Sequence, residues 1–278
     1  MVIVRAYNGL GNQMFQYALG RHLALLNGTE LKIDTGAFAD DPLREYELHR
    51  FKVRGSIASA AEVAHFREME AADPQHYLRL MQKSRLFDPA ILQARGEIYL
   101  HGFWQTERYF TQIRELLLDE FQLRTPPAEG AMKMAGRIEA SNAVAVHVRR
   151  SDYVTNPKTT LHHGVLPLEY YQEAMRRMAG MVPDPVFFIF SDDPQWAREN
   201  ITPPGPAVCI EGNDASNGHE DLRLMRTCKH FIIANSSFSW WGAWLSGNPG
   251  KRVIAPLRWF AKPEIDTRDI VPPQWIRI

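Results

Sequence analysis

The sequence predicts an α/β protein with two domains, each built around a parallel sheet. Its 278 residues are enough for two domains with cores of their own. Short apolar runs rich in β-branched residues alternate with segments in which apolar residues recur at helical spacing. A segment rich in Pro and Gly, 125–130, lies near the middle of the chain and is typical of a linker. We therefore assign residues 1–130 to an N-terminal domain and residues 131–278 to a C-terminal domain.

Composition excludes several classes of protein. The chain is 45% hydrophobic and 23% charged, which is ordinary for a globular protein, and its formal net charge is zero. A neutral chain is not expected to bind nucleic acid through a basic surface. No 18 apolar residues are consecutive, so we expect a soluble cytoplasmic protein whose association with a membrane, if any, is peripheral. Cys209 and Cys228 form no C-x-x-C pair, so we expect the protein to lie in a reducing compartment. Both cysteines are expected to be buried in the apolar core.

The first domain opens with a strand, a glycine loop and a helix. Residues 2–6 are apolar and β-branched, residues 8–11 (NGLG) predict a turn, and the pattern of residues 12–26 predicts a helix. A second strand is predicted at residues 31–34. The glycine loop therefore follows the carboxyl end of a strand, which is where α/β proteins bind ligands.

The rest of the first domain and the second domain also alternate in pattern. Helical patterns dominate between about residues 59 and 93, and a strand is predicted at residues 98–100. In the second half the predicted strands are residues 143–148, 186–190, 207–210, 231–234 and 253–255. Helical segments separate them, as a parallel sheet requires, so this half is predicted to be Rossmann-like.

The glycine loop has part of a dinucleotide-binding fingerprint. Its two glycines are followed, at about the right distance, by Asp34, where a ribose-binding acid would lie. Met14, however, stands at the place of the third glycine and would obstruct the close packing of helix and strand, which disfavours NAD binding. Asn12 and Gln13 either cap the helix or donate amide hydrogen bonds to a ligand that faces the loop.

The segment 147–153, HVRRSDY, ends an apolar run with a cluster of charges. Adjacent arginines are costly unless an anion meets them, and the planar guanidinium group suits phosphate or carboxylate. Two interpretations stay open. Either Arg149 and Arg150 form an anion-binding strand end, or Asp152 neutralises one of them in a structural salt bridge.

The segment 230–242, HFIIANSSFSWWG, predicts a strand, a turn with small hydroxyl residues and an aromatic helix. The free N–H groups of the helix start and the hydroxyls of Ser236 and Ser237 would cradle a phosphate, although ordinary N-capping explains the same residues. Asp221 begins another helix, either as a dipole partner or as an acid that reads a guanine edge. The acidic pair 192–193 is a third charged strand end, or simply a loop opening.

Several catalytic motifs are missing from the sequence. It contains no D-x-D pair and no H-E-x-x-H or H-x-H cluster, which are the usual ligands of a metal-clamped diphosphate or a catalytic zinc. It also lacks the P-loop of kinases and the G-x-S-x-G of α/β-hydrolases. Negative charge on a leaving phosphate would therefore have to be met by arginine.

Four segments together resemble the α-1,2-fucosyltransferases of glycosyltransferase family 11. They are 9–17 (GLGNQMFQY), 102–110 (GFWQTERYF), 147–153 (HVRRSDY) and 235–241 (NSSFSWW). Their order and spacing match over nearly the whole chain. The resemblance implies a GT-B-like architecture of two facing Rossmann-like domains, with the active site in the cleft between them.

The same resemblance implies an activity. The donor would be GDP-β-L-fucose, and fucose would pass with inversion to the 2-hydroxyl of a terminal β-galactoside, without a metal or other cofactor. The chain resembles bacterial members that make surface polysaccharide, such as O-antigen. Two alternatives stay open: a fucosyltransferase with another acceptor, such as a peptide or a glucosamine, and a noncatalytic sugar-binding module.

Residue roles also follow from the resemblance. The residues implied to bind the donor are Asn12, His147, Arg149, Asp221, Ser236, Ser237 and Phe238. Among them, Arg149 would contact the β-phosphate, and His147 and Asp221 would meet the guanosine. The three residues 236–238 would lie beside the diphosphate. Asn12 would approach the donor phosphate from the first domain, across the cleft.

The candidate catalytic residues are Arg149, Arg150 and Asp152. Arg149 is the first choice, because a guanidinium group that binds the leaving diphosphate most tightly in the transition state lowers the barrier. Asp152 or Glu107 could take the proton of the acceptor hydroxyl. Alternatively Asp152 only orients Arg150, and the diphosphate takes the proton.

Three aromatic residues of the segment 102–110 have two interpretations. Phe103, Trp104 and Tyr109 either offer apolar faces to a galactose ring or form a cluster in the core.

Overall fold

The computed structural model describes residues 1–211 and 217–278, and of Ser151, Asp152 and Lys158 the backbone only. Strands and α-helices alternate along most of the chain. Within the two described ranges, no helix is both long and apolar enough to cross a membrane.

The chain divides into two compact units. They are Met1–Arg124 with Arg268–Pro272, and Thr125–Thr267 with Pro273–Ile278. The first change of unit thus lies at the beginning of the segment 125–130, whereas we predicted a boundary at its end. No sequence pattern indicated that a segment near the carboxyl terminus belongs to the first unit. Asp269 fixes it there, since its carboxylate accepts the N–H of Phe87 at 2.8 Å and pairs with Arg108 at 3.2 Å.

The first unit contains a five-stranded parallel sheet. Its strands are Val2–Arg5 (β1), Leu31–Asp34 (β2), Ser56–Ile57 (β3), Tyr77–Met81 (β4) and Glu97–His101 (β5). The order across the sheet is β3-β2-β1-β5-β4, with parallel pairing throughout. The α-helices of this unit are Leu10–Leu26 (α1), Ala60–Ala72 (α2) and Arg114–Glu120 (α3). Strand β1 is central and apolar, and Val2, Ile3 and Val4 are almost fully buried.

Two predictions for this unit are wrong in part. Helix α1 begins at Leu10, two residues before its predicted start, and the reversal of the chain is confined to Asn8 and the N-cap Gly9. Asn8 has φ +68°, a left-handed conformation that asparagine adopts more readily than most residues. The helical pattern predicted between about residues 59 and 93 also includes strand β4. Pairing with β5 satisfies the backbone groups on one side of β4, and this tertiary contact outweighs the local pattern.

The second unit contains a six-stranded parallel sheet. Its strands are Asn142–Val148 (β6), Pro185–Ser191 (β7), Ala207–Cys209 (β8), His230–Ile232 (β9), Val253–Ala255 (β10) and Ile276–Arg277 (β11). The order is β11-β10-β9-β6-β7-β8. Its α-helices are Glu129–Glu139 (α4), Ser151–Thr155 (α5), Pro157–His163 (α6), Leu168–Met181 (α7), Pro194–Asn200 (α8), Gly218–Met225 (α9) and Ser237–Leu245 (α10).

The core of the second unit confirms the predicted strands. All five are present as parallel strands, and only the short edge strand β11 was not predicted. Val144, Val146 and Val148 of β6 pack with Tyr171 and Met178 of α7 in one buried cluster. This packing fixes the position of β6 in the sheet. It therefore also fixes the point at which Arg149 and Arg150 follow the strand.

Candidate active site

The second unit has a topological switch point at its centre. From β6 the chain continues through β7 and β8 on one side, and only then reaches β9 on the other side of β6. In open α/β sheets, ligands bind outside the carboxyl ends of the strands at such a point. The predicted residues His147 and Arg149 lie at the end of β6, and Ser236 and Ser237 follow β9. The structure therefore brings both segments to one edge of the sheet.

Two carboxylates at the end of β7 meet the arginine pair. Asp192 Oδ2 lies 2.9 Å from Arg149 Nη1, and Asp192 Oδ1 accepts the backbone N–H of Arg150 at 2.8 Å. Asp193 Oδ2 lies 3.3 Å from Arg150 Nε, and the Arg150 guanidinium covers the ring of Trp196 at 3.8 Å. Both arginines thus form salt bridges, but with Asp192 and Asp193, whereas Asp152 is the partner considered from the sequence. The side chain of Asp152 lies outside the described residues.

The surroundings of Arg149 hold it in place but leave it accessible. The hydroxyl of the buried Tyr171 makes a hydrogen bond to the backbone of Arg149, and the Arg149 guanidinium lies 5.3 Å from the ring centre of Tyr153. Tyr153 in turn donates a hydrogen bond to the carbonyl of Asn235, at 3.2 Å, which joins the ends of β6 and β9. The Arg149 side chain is 22% exposed, so an anion can reach it from solvent.

His147 is a buried neutral base. Burial, and secondarily the charge of Arg149, lower its pKa from 6.5 to about 3. Its ring lies 5.5 Å from that of Phe238, and among the described residues its Nδ1 has no hydrogen-bond partner. Buried polar atoms in native proteins are nearly always paired, so Nδ1 is a candidate for contact with a ligand.

The beginning of helix α9 lies close to the same ring pair. A Cβ built on Gly218 would lie 3.7 Å from Cε2 of Phe238. Asp221 belongs to the first turn of this helix and is partly buried. The structure thus places the helix that carries Asp221 beside Phe238, whereas a guanine contact of Asp221 stays a prediction.

Helix α10 begins as predicted and is capped by one of the two predicted serines. The Ser236 side chain accepts the N–H of Phe238 at 3.3 Å, whereas Ser237 and Phe238 are partly exposed in the first turn. Asn235 was not among the predicted site residues. Its Nδ2 donates to the carbonyls of His163 at 2.9 Å and Trp259 at 3.3 Å, which fixes the loop before the helix. Phosphate binding by the helix start is compatible with this capping.

The glycine loop of the first unit is held by side-chain amides. Gln13 Nε2 donates to the carbonyls of Asn8 and Glu45, each at 2.8 Å. Its amide therefore neither caps α1 nor has a donor left for a ligand, and both interpretations of Gln13 are wrong. Asn12 Oδ1 accepts a hydrogen bond from Gln105 Nε2 at 2.7 Å. This bond joins the loops that follow β1 and β5, and it orients the Asn12 amide.

Glu47, which no sequence motif indicated, also lies at the glycine loop. Its carboxylate accepts a hydrogen bond from the backbone of Leu10 at the beginning of α1, and its own N–H donates to Gln13 at 2.9 Å. Burial raises the pKa of Glu47 from 4.5 to about 7. What singles out Glu47 is its burial and its contacts in the folded chain, and no local sequence pattern predicts these.

Most aromatic side chains of the segment 102–110 lie in the core of the first unit. Trp104 and Tyr109 are each only 1% exposed, and their ring centres lie 5.8 Å apart in an edge-to-face contact. Of the two interpretations, the core cluster is therefore the one that holds for these two residues. Phe103 is partly exposed and is covered by the guanidinium of Arg85 at 4.3 Å. Glu107 is partly buried in a short 3₁₀ turn.

The described residues contain no group of three or more His, Cys, Asp or Glu arranged to hold a metal ion. The arrangement at the end of β6 offers a guanidinium group, a neutral imidazole and a helix N-terminus instead. These groups are suited to a phosphate ester with an attached ring.

Comparison with known proteins decides the family. The family model described as glycosyl transferase family 11 matches residues 1–278. The chain belongs to this family. The family predicted from the four segments is thus confirmed, and the protein is a glycosyltransferase of the fucosyltransferase-like type.

Relatives of this family 11 protein have related activities. An α-1,2-colitosyltransferase of Escherichia coli is 33% identical, over 100% of this chain and 99% of that protein. An O-antigen biosynthesis glycosyltransferase of Escherichia coli, WbnK, is 30% identical, over 91% and 93%. Galactoside α-(1,2)-fucosyltransferase 1 of Mus musculus is 28% identical, over 85% of this chain and 61% of that protein.

Solved structures resemble the fold of this family 11 protein. The fucosyltransferase NodZ from Bradyrhizobium superposes with a TM-score of 0.52 at 15% identity, over 87% of this chain and 91% of that one. A variant of Arabidopsis thaliana FUT1 in complex with GDP gives 0.50 at 11% identity, over 91% and 69%. At such identity the likeness concerns the fold alone. Together with the two parallel sheets, it confirms the predicted GT-B-like fold class.

Proposed function

We propose that this family 11 glycosyltransferase transfers L-fucose from GDP-β-L-fucose to the 2-hydroxyl of a terminal β-galactoside. Inversion at the anomeric carbon and independence of metal belong to the proposal. The observation that carries it is Arg149, which is held by Asp192 at the switch point beside the buried His147 and the start of α10. The names of the murine relative and of the GDP complex of Arabidopsis thaliana FUT1 support the acceptor and the nucleotide.

The proposed reaction places its greatest charge on the leaving group. The bond from fucose C1 to the β-phosphate oxygen breaks, GDP leaves with the electron pair, and the acceptor oxygen attacks C1 from the opposite face. Arg149 stabilises the charge that develops on the β-phosphate, and the start of α10 adds the positive end of a helix dipole. Since arginine supplies this charge, no metal is needed, which agrees with the missing D-x-D pair.

The nucleoside is proposed to lie beside His147 and Asp221. Nδ1 of His147 would make a hydrogen bond to the guanosine, and Asp221 would accept from the guanine edge. Asn12, oriented by Gln105, would approach the diphosphate from the first unit. The acceptor proton would pass to Asp152 or Glu107, or to the diphosphate itself.

A second candidate differs only in the sugar. The relative named α-1,2-colitosyltransferase, at 33% identity, favours a donor that carries colitose in place of fucose. WbnK favours an acceptor that belongs to an O-antigen or a similar surface polysaccharide.

One experiment tests these proposals. Purified protein is incubated with GDP-fucose or GDP-colitose, a panel of β-galactosides and a chelator, and the linkage of each product is determined by NMR. We expect an α-1,2-linked fucosyl product that forms equally well with the chelator. Transfer from GDP-colitose alone would support the second candidate, and transfer only to peptide or glucosamine would overturn the proposed acceptor. Tight binding of fucose without affinity for GDP would indicate a noncatalytic sugar-binding module.

A further inference from the structure

A cavity of about 470 Å³ lies over one face of the sheet in the first unit. Its volume falls in the range of small-molecule sites, roughly 300–1,000 Å³. Side chains from α2, β1, β4 and β5 line it: Arg5, Arg67, Glu70, Arg79, Tyr99 and His101. Three guanidinium groups and an imidazole thus face a single carboxylate, which is an unusual lining unless an anion binds.

The register of the strands explains why these residues meet. Arg79 of β4 pairs with Tyr99 of β5, and alternate residues of a strand share a face. His101 is therefore on the same face, two residues closer to the carboxyl end of β5, and Arg5 is on this face at the end of β1. Helix α2 adds Arg67 and Glu70. The cluster is thus built by the fold from four separate elements.

Acidic groups offset only part of this positive charge. Glu70 pairs with Arg79 at 2.9 Å. Asp34, at the end of β2, accepts the hydroxyl of Tyr99 at 2.5 Å. Of the three guanidinium groups, only that of Arg79 forms an ion pair with a carboxylate of the described residues. The other two, on Arg5 and Arg67, have donors to offer to a ligand.

The cavity adjoins the loops that the proposed function uses. The ring of Tyr7 contacts His101 at 5.6 Å and Phe103 at 4.9 Å, and so links the cavity to the loop that contains Gln105. Burial and the charges of Arg5 and Arg79 lower the pKa of His101. Its imidazole can make a hydrogen bond to a ligand in the cavity. A ligand in the cavity would therefore lie beside the loops that follow β1 and β5.

We propose that this cavity binds an anionic group of the acceptor, a carboxylate or a phosphate, and thereby selects acidic over neutral galactosides. Guanidinium groups bind both of these anions in a planar, two-bonded geometry. That the anion belongs to the acceptor rests on the proposed function, whereas anion binding in the cavity is measurable without any turnover.

Paired probes test the proposal. Lactobionate and lactitol both carry a terminal β-galactose on an open chain and differ by one carboxylate. Lactose 1-phosphate and lactose form the corresponding pair for phosphate. Binding is measured by isothermal titration calorimetry, and KM at saturating GDP-fucose. We expect Kd and KM about tenfold lower for the charged member of at least one pair, and the pair that shows it identifies the anion.

Variants separate the cavity from a general charge effect. Arg67→Gln, alone and combined with Arg79→Gln, is expected to remove the preference for the anion and to change Kd for the neutral probe less than twofold. Arg54→Gln is the matched control, since this arginine of the same unit is 74% exposed and does not line the cavity. Thermal unfolding confirms that each variant is folded.

Two results would overturn the proposal. One is equal affinity for charged and neutral probes in both pairs, and the other is a preference that survives in the folded double variant. If calorimetry shows the preference but no galactoside accepts fucose, the cavity stands and the proposed function fails. If fucose is transferred without any preference, the function stands and the cavity proposal fails.

Discussion

Asp192 holds Arg149 through an ion pair of 2.9 Å, and its second oxygen accepts the backbone N–H of the next residue at 2.8 Å. One carboxylate at the end of β7 thus fixes both the side chain of Arg149 and the path of the chain beyond β6. A guanidinium group that is already ordered loses less conformational entropy when it binds a phosphate. Preorganised charge of this kind also stabilises a transition state effectively.

Arg149→Ala is expected to abolish most turnover. A hydrogen bond to a charged group contributes about 1.5–3 kcal/mol, so kcat should fall about 10- to 150-fold for each bond lost in the transition state. Arg149→Lys should restore only part of it, since lysine lacks the planar fork. Turnover is measured with GDP-fucose and a β-galactoside. Arg198→Ala, at an exposed ion pair of the same unit, is the control, and near-normal kcat in folded Arg149→Ala would contradict the assignment.

Asp192→Asn should lower kcat while the protein stays folded. The asparagine oxygen can still accept the backbone N–H of Arg150, whereas the ion pair to Arg149 is lost. We expect a decrease of about 3- to 10-fold with a smaller change in KM for the donor, corresponding to about 0.7–1.4 kcal/mol. Asp193→Asn is the matched comparison, because this acid pairs with Arg150. Equal effects of the two substitutions on kcat would count against a special role of Asp192.

His147→Phe tests the unpaired nitrogen. Phenylalanine keeps a ring against Phe238 and removes the buried Nδ1, so the free energy of unfolding should stay the same or rise. If Nδ1 bonds the nucleotide, Kd for GDP should increase about 2- to 12-fold, the equivalent of one neutral hydrogen bond. Calorimetry with GDP and urea unfolding measure the two quantities. An unchanged Kd together with higher stability would show that His147 only fills space.

Glu47 should make stability depend on pH near neutrality. Its pKa is about 7 in the folded protein and 4.5 when exposed, so between these values the folded protein binds more protons than the unfolded chain. Stability therefore falls as pH rises through this window, and the loss is complete about one pH unit above the folded-state pKa. Glu47→Gln should remove the decline and raise the free energy of unfolding at pH 8 by roughly 1–3 kcal/mol.

Urea unfolding of the two proteins at several pH values between 4.5 and 8 measures this effect. Glu45→Gln is the matched control, since Glu45 is nearby and 66% exposed. Parallel stability curves for the parent and Glu47→Gln proteins would show that the carboxyl titrates in its ordinary range.

Gly102→Ala should destabilise the loop after β5. An added Cβ would lie 2.4 Å from Cβ of Gln82 and 2.8 Å from Cε2 of Trp104, and Trp104 already has φ +56°. Overpacking of this kind costs about 1–3 kcal/mol. Gly180→Ala is the control, because nothing lies within 4 Å of that position in α7, and there alanine should stabilise by about 0.5–1 kcal/mol. Similar unfolding midpoints for both variants would contradict the tight contact.

Local patterns predicted most of the second unit but less of the first. The strands of the second unit are long enough and apolar enough for periodicity to reveal them, as β6 shows with six buried residues out of seven. Strand β4 is half exposed at a sheet edge, and its pattern does not distinguish it from a helix. The segment 268–272 joins the first unit through Asp269, a contact that no local pattern contains.

By itself, the sequence determined the α/β class, the family and the position of Arg149 at a strand end, because these depend on periodicity and on motifs within short segments. Only the tertiary structure decided which groups surround that arginine. Asp192 follows Arg149 by more than forty residues, and the two meet because β7 pairs with β6 in register. The cavity around Arg5 and His101 has the same origin. Periodicity specifies the face on which a side chain lies, whereas the order of strands in the sheet selects its neighbours.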